Sequence, residues 1–99
     1  MKVNFHPSAI LELKEAIYFY EKQSAGLGIA FLLEIKASLE RIKQFPEGWA
    51  KTFKKCRRIL TNRFPYGIVY KIGERAITIY AVMHLNRNPK YWADRIRGF

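Results

Sequence analysis

Polar and apolar residues alternate over Lys2-Val3-Asn4-Phe5, and Pro7 stops the alternation, which predicts a short first strand. From there the period changes. Ile10, Leu13, Ile17 and Tyr20 fall on one helical stripe, with Glu12, Glu15 and Lys22 on the expected wet face and Ser8 as the expected N-cap. Gln23 to Gly28 supplies a break, because Ser24, Gly26 and Gly28 are turn formers. A second helix is predicted from about Leu27 to Phe45, where Leu32, Ile35, Leu39 and Ile42 hold a seam widened by Phe31 and Phe45, and Pro46 ends it. Two amphipathic helices joined by a short glycine-containing turn make an antiparallel hairpin whose joint stripe must be buried against something.

The rest of the chain supplies that surface. Strand-like runs are read at Lys55 to Asn62, Tyr66 to Ile72 and Arg75 to Met83. In the middle run Tyr66, Ile68, Tyr70 and Ile72 share a face, opposite Gly67, Val69 and Lys71. Strict alternation in the last run would put Ile77, Ile79, Ala81 and Met83 on one face and Thr78, Tyr80 and Val82 on the other. A two-residue loop, Gly73-Glu74, suits a tight hairpin between these two strands. Pro89 lies near a possible helix start, so a short terminal helix is expected within Asn88 to Arg97. The predicted fold is α+β, in the order β-α-α-β-β-β: an N-terminal strand, then a helical hairpin packed on one face of a small, mostly antiparallel sheet, with the other face partly open.

Composition supports folding. A chain of 99 residues is near the commonest domain size, and 49% hydrophobic and 15% aromatic residues are enough to offset ordering entropy, so residues 1–99 are expected to form one domain. No apolar run approaches the length that crosses a bilayer and no hydrophobic leader opens the chain, which gives the expectation of a cytoplasmic protein with no membrane association. Cys56 is the single cysteine, and it is joined by only two histidines, His6 and His84. That set predicts no internal disulfide, no metal site and no cofactor. Cys56 reads as a packed residue rather than a nucleophile, for want of a nearby base.

Charge changes the picture most. Residues 1–47 carry equal numbers of basic and acidic groups, whereas residues 48–99 carry the whole formal net charge of +10. In the run Lys51, Lys54, Lys55, Arg57, Arg58 and Arg63 no acidic residue intervenes between Glu47 and Glu74. Such asymmetry argues for a polyanionic partner, nucleic acid or an acidic protein segment. The lysines also suit a solvated strand edge, while the planar forks of the arginines suit phosphate or carboxylate pairing.

Beyond this pattern, two stretches resemble the RelE/ParE toxin superfamily, and its ParE-like branch most. They are Arg63-Phe64-Pro65-Tyr66-Gly67-Ile68-Val69-Tyr70 and Ala81-Val82-Met83-His84-Leu85-Asn86-Arg87-Asn88-Pro89-Lys90-Tyr91-Trp92. Phe5-His6-Pro7-Ser8-Ala9 and Gly26-Leu27-Gly28 with Phe31 fit the same pattern, so the likeness spans nearly the whole chain. The resemblance implies the toxin of a type II toxin–antitoxin pair, silenced in a hetero-oligomer by a cognate antitoxin with an acidic C-terminal segment. It leaves two modes of action open: binding of DNA gyrase, as in ParE-like members, or cleavage of messenger RNA on the ribosome, as in RelE-like ones. A plain basic nucleic-acid-binding module is the third alternative.

Cleavage through a 2′-hydroxyl needs a proton acceptor and cations for the phosphorane. His84 is the candidate acid–base group, with Arg58 and Arg87 to hold phosphate. If the chain acts by binding, Arg57, Arg58, Arg63, Arg87, Tyr91 and Trp92 are the candidate contacts to target or antitoxin. Each has a plainer role available: His84 as an anchor for the turn after the last strand, Tyr66 and Tyr70 in packing, Tyr91 and Trp92 pinning the terminus. All the functional readings expect these cations to converge on one concave patch beside His84.

Overall fold

The computed structural model describes residues 1–96. Strand β1 (Lys2–Phe5) leads into helix α1 (Pro7–Gln23). The N-cap is His6 rather than Ser8: its Nδ1 accepts the Ser8 amide at 3.1 Å, and Pro7 occupies the first helical turn, where its missing N–H goes unneeded. Helix α2 (Leu27–Gln44) returns antiparallel after a turn at Gly26, whose φ of +88° is the left-handed conformation that glycine adopts most readily. The Glu21 carboxylate closes this turn by accepting the amides of Gly26 and Gly28 at 3.0 Å. At Gly28 the helices touch so closely that a Cβ would stand 2.6 Å from the carbonyl oxygen of Ile17.

The other strands are β2 (Arg57–Leu60), β3 (Tyr66–Ile72) and β4 (Ala76–His84), in a four-stranded sheet ordered β1-β4-β3-β2. β1 pairs parallel to β4, and the other neighbours are antiparallel. The β3–β4 connection is Gly73-Glu74-Arg75, one residue longer than predicted, with the Gly73 amide donating to the Ala76 carbonyl at 2.8 Å. β2 starts later than predicted because Phe53–Lys55 form a 3-10 turn in which Lys54 and Lys55 hold φ of 54° and 61°.

A bulge in β4 overturns the predicted alternation. Val69 pairs with Ala81 while the next residue, Tyr70, pairs with Ile79, so Tyr80 is the extra residue and everything after it changes face. Ile77, Ile79 and Val82 therefore face the helices with Ile68, Tyr70, Phe31 and Ile35, whereas Ala81 and Met83 join Val69 and Cys56 on the opposite face. On the helical side Phe31 contacts Phe64 and Tyr66 edge-on, with centroids 5.1 and 4.9 Å apart. The Phe64-Pro65 corner is held by buried Thr61, whose Oγ1 donates to the Phe64 carbonyl at 2.7 Å.

The short terminal helix expected within Asn88 to Arg97 takes the form of one 3-10 turn, Ala93–Arg95, which follows turns from Pro89 to Trp92. The physical reason is burial: Trp92 and Ile96 reach down onto Val69, Ala81 and Met83, and successive i to i−3 hydrogen bonds replace an α-helical ladder. Arg97, the expected end of that helix, lies outside the described residues.

Candidate functional site

β1 covers only the first part of β4's edge. Its pairing ends at Phe5 opposite Ile79, and the His6 amide makes the last backbone bond, to the Ile79 carbonyl at 2.8 Å. Past that point side chains take over. Glu12 of α1 accepts the Val82 amide at 3.0 Å, and Arg95 of the tail donates to the Tyr80 carbonyl at 2.8 Å. The two side chains also meet, with both terminal nitrogens of Arg95 on the two carboxylate oxygens of Glu12 at 3.0 and 2.9 Å. This forked geometry is the strong form of the ion pair.

Two more tail residues complete the cluster. The Tyr91 hydroxyl donates to Glu12 at 2.5 Å, and Arg87 lies 3.6 Å from the same carboxylate, with its guanidinium 3.6 Å from the centre of the Tyr91 ring. Burial pushes the Tyr91 phenol well above its ordinary value, and the bond to Glu12 adds to the effect. The same carboxylate raises Arg95, which stays cationic at any physiological pH. Glu12 and Arg95 were not anticipated as site residues. Glu12 reads as a solvated helix position, yet its side chain is only 12% exposed.

Beside this cluster runs a groove of about 430 Å³, lined by Glu12, Glu15, Tyr18, Phe19, Tyr66 and His84, with Arg87 at its rim. Tyr18 and Phe19 stand 63% and 55% exposed, which is unusual for rings of that size on a small fold. His84 packs edge-on against Tyr66, with centroids 5.3 Å apart, and its Nδ1 accepts the Asn86 amide at 3.0 Å. It thus anchors the turn that leaves β4, and only its other nitrogen is left for a ligand.

The remaining candidates do not join His84. Arg58 pairs with Val69 on the face away from the helices, its stem lying over Gly67, whereas His84 pairs with Tyr66 on the helical face. Arg57 turns the other way from Arg58 and donates through Nη1 to the carbonyls of Glu47 and Trp49 at 3.2 and 2.7 Å, pinning the segment after α2. Arg63 lies over the Phe64 ring at 5.4 Å. Trp92 is 1% exposed, and its Nε1 has no hydrogen-bond partner among the described residues. The structure thus gathers His84, Arg87 and Tyr91, adds Glu12 and Arg95, and leaves Arg57, Arg58 and Arg63 elsewhere. Cys56 is fully buried, and its thiol is pushed up to about 11 by desolvation, the state of an inert thiol. No helix among the described residues is long and apolar enough to cross a membrane.

The molecule is a small α+β protein with a helical hairpin on a mixed sheet and a short basic tail strapped beneath it, and comparison gives the family. Residues 3–89 match the model of the ParE toxin of type II toxin–antitoxin systems, parDE. Toxin ParE2 of Mycobacterium tuberculosis is 30% identical over 98 residues, which cover 98% of this chain and 93% of that protein. The fold also superposes on a chain of the chromosomal ParDE toxin–antitoxin system from P. aeruginosa, with a TM-score of 0.64 at 14% identity, over 87% of this chain and 97% of that one. The chain belongs to the ParE toxin family and is a toxin of a type II toxin–antitoxin system.

Proposed function

We propose that this toxin arrests growth by binding a cytoplasmic target, DNA gyrase foremost, and that a cognate antitoxin silences it by laying an amphipathic, acidic C-terminal segment along the groove between α1 and β4. The observation that carries the reading is the groove itself: exposed Tyr18 and Phe19 offer apolar anchors, and Arg87 at the rim offers a cation. An acidic amphipathic segment matches both, and the basic second half of the chain would draw it in. The resulting complex is a toxin–antitoxin hetero-oligomer.

Ribosome-dependent or free RNA cleavage is the competing reading. It needs His84, Arg58 and Arg87 around one phosphate, and the opposite faces taken by His84 and Arg58 favour binding over cleavage. The test is expression of the chain with and without its cognate antitoxin, followed by supercoiling assays with purified gyrase and by transcript mapping. Growth arrest with inhibited supercoiling and intact RNA is the expected result. Transcripts cut by the chain but not by its His84→Ala variant would replace this reading with the ribonuclease one.

A further inference from the structure

On the face of the sheet away from the helices, Trp92 and Ile96 pack over Cys56, Val69, Ala81 and Met83. The margin along β2 is less covered. There Arg58 pairs with Val69, and Leu60, two residues along on the same face, pairs with Gly67 and stays 49% exposed. Gly67 pairs in turn with Met83, and Leu85, two residues beyond Met83, is 38% exposed and donates its amide to the Pro65 carbonyl at 2.9 Å. Leu60 and Leu85 thus stand at one end of the sheet, the same end at which Tyr66 and His84 meet the groove on the helical face.

Arg58 lies across this margin and leans towards that end. Its stem rests on Gly67, where a Cβ would stand 3.2 Å from both Cγ and Cδ of the arginine, so the bare glycine is its seat. Arg58 is half-buried, yet its guanidinium has no hydrogen bond or ion pair among the described residues. The other half-buried arginines are engaged: Arg41 with Ser38 and Glu34, Arg57 with the Glu47 and Trp49 carbonyls, Arg95 with Glu12. A cation drawn partly out of water without a counter-charge is costly, and a stem already held by packing loses little further freedom when its fork is used.

We propose that this margin, Arg58 with Leu60 and Leu85, is a contact surface for the toxin's protein target, which sets a carboxylate on the Arg58 fork and apolar side chains on the two leucines. The fork takes a carboxylate through two parallel hydrogen bonds, and its aliphatic flanks suit protein side chains better than nucleobases, which stack on rings. The inference rests on the reading that the chain arrests growth by binding a protein, and it adds the face of the sheet that the groove does not reach. A target that grips the end of the sheet from both faces is excluded once the antitoxin fills the groove, although the antitoxin leaves Arg58 untouched.

Growth arrest and antitoxin binding, measured on the same variants of the full chain, test the proposal. Arg58→Gln removes the charge and keeps most of the stem. It should no longer arrest growth at the lowest expression that halts cells carrying the parent, and should need about tenfold more purified protein to inhibit gyrase supercoiling, with affinity for the cognate antitoxin within about twofold of the parent. Leu60→Ser, at an exposed position, should give the same split with a smaller effect, and it decides the matter if Arg58→Gln fails to fold. Undiminished growth arrest in the deciding variant overturns the proposal. Antitoxin affinity that falls together with toxicity in a folded variant overturns it too, by making the margin part of the antitoxin site, and so does Arg58-dependent binding or cutting of an oligoribonucleotide, which would make it a phosphate site. A parent that arrests growth without inhibiting gyrase sinks the gyrase reading alone, since growth arrest in the variants still judges the margin.

Discussion

The helical face of the sheet is buried under interlocked rings and isoleucines from five elements, whereas the opposite face is sealed by little more than Trp92 and Ile96 on Cys56, Val69, Ala81 and Met83. The first is a conventional core that distributes its burial over many contacts. The second depends on a tail with hardly any secondary structure, held at its far end by Glu12, a residue of the helical side. One face keeps the fold together and the other is a local unit, able to open at a lower free energy than the whole.

Phe31→Ala is the severest way to break this contrast. It removes the ring at the centre of the aromatic cluster and should cost about 3–5 kcal/mol, a large part of the stability of so small a protein, read as a lower urea midpoint or as failure to fold. Glu12→Ala probes the join between the two faces. It strands the Val82 amide, the Tyr91 hydroxyl and the Arg95 guanidinium, and should cost about 2–3 kcal/mol, with hydrogen exchange accelerating at Val82 and in the tail before it does in α1 and α2. Uniform acceleration throughout would mean that the tail is no separate unit. Trp92→Phe has the smallest expected effect, within about 1 kcal/mol of the parent, since it gives up some volume but also deletes a buried N–H without a partner among the described residues. A loss as large as that of Phe31→Ala would show that the lower face is a second full core.

Much of the fold could be read from the sequence because its signals are local. The stripe through Leu13, Ile17 and Tyr20, from which Ile10 alone is left exposed, the turn at Gly26 and the alternation from Tyr66 to Ile72 each act over a few residues, and the structure keeps α2 and β3 nearly as predicted. The errors come where distant residues decide. Strict alternation through β4 fails at Tyr80 because a bulge depends on how Val69 and Tyr70 meet the facing strand, which no window on β4 reveals. The tail's helix shrinks to the 3-10 turn Ala93–Arg95 because Trp92 is drawn under the sheet. Glu12 was missed as a site residue for a similar reason: its partners Val82, Tyr91 and Arg95 are far along the chain, and only its place at the margin of an apolar stripe hints that it is not simply wet. His84 and Arg87 could be found from sequence, while the sorting of Arg57 and Arg58 to opposite faces follows from strand period, but which face meets the groove does not.

The parallel pairing of β1 with β4 has a consequence for how the poison comes into being. Lys2 must wait for Ala76, and Phe5 for Ile79, so the first strand made is the last to be seated. A nascent chain that has not yet exposed β4 has neither its completed sheet nor its α1–β4 groove, and contacts this far apart in sequence are slow to close. The α1–β4 groove therefore cannot assemble piecemeal: it arises in one step, after β4 has been made, however early β1 and α1 leave the ribosome.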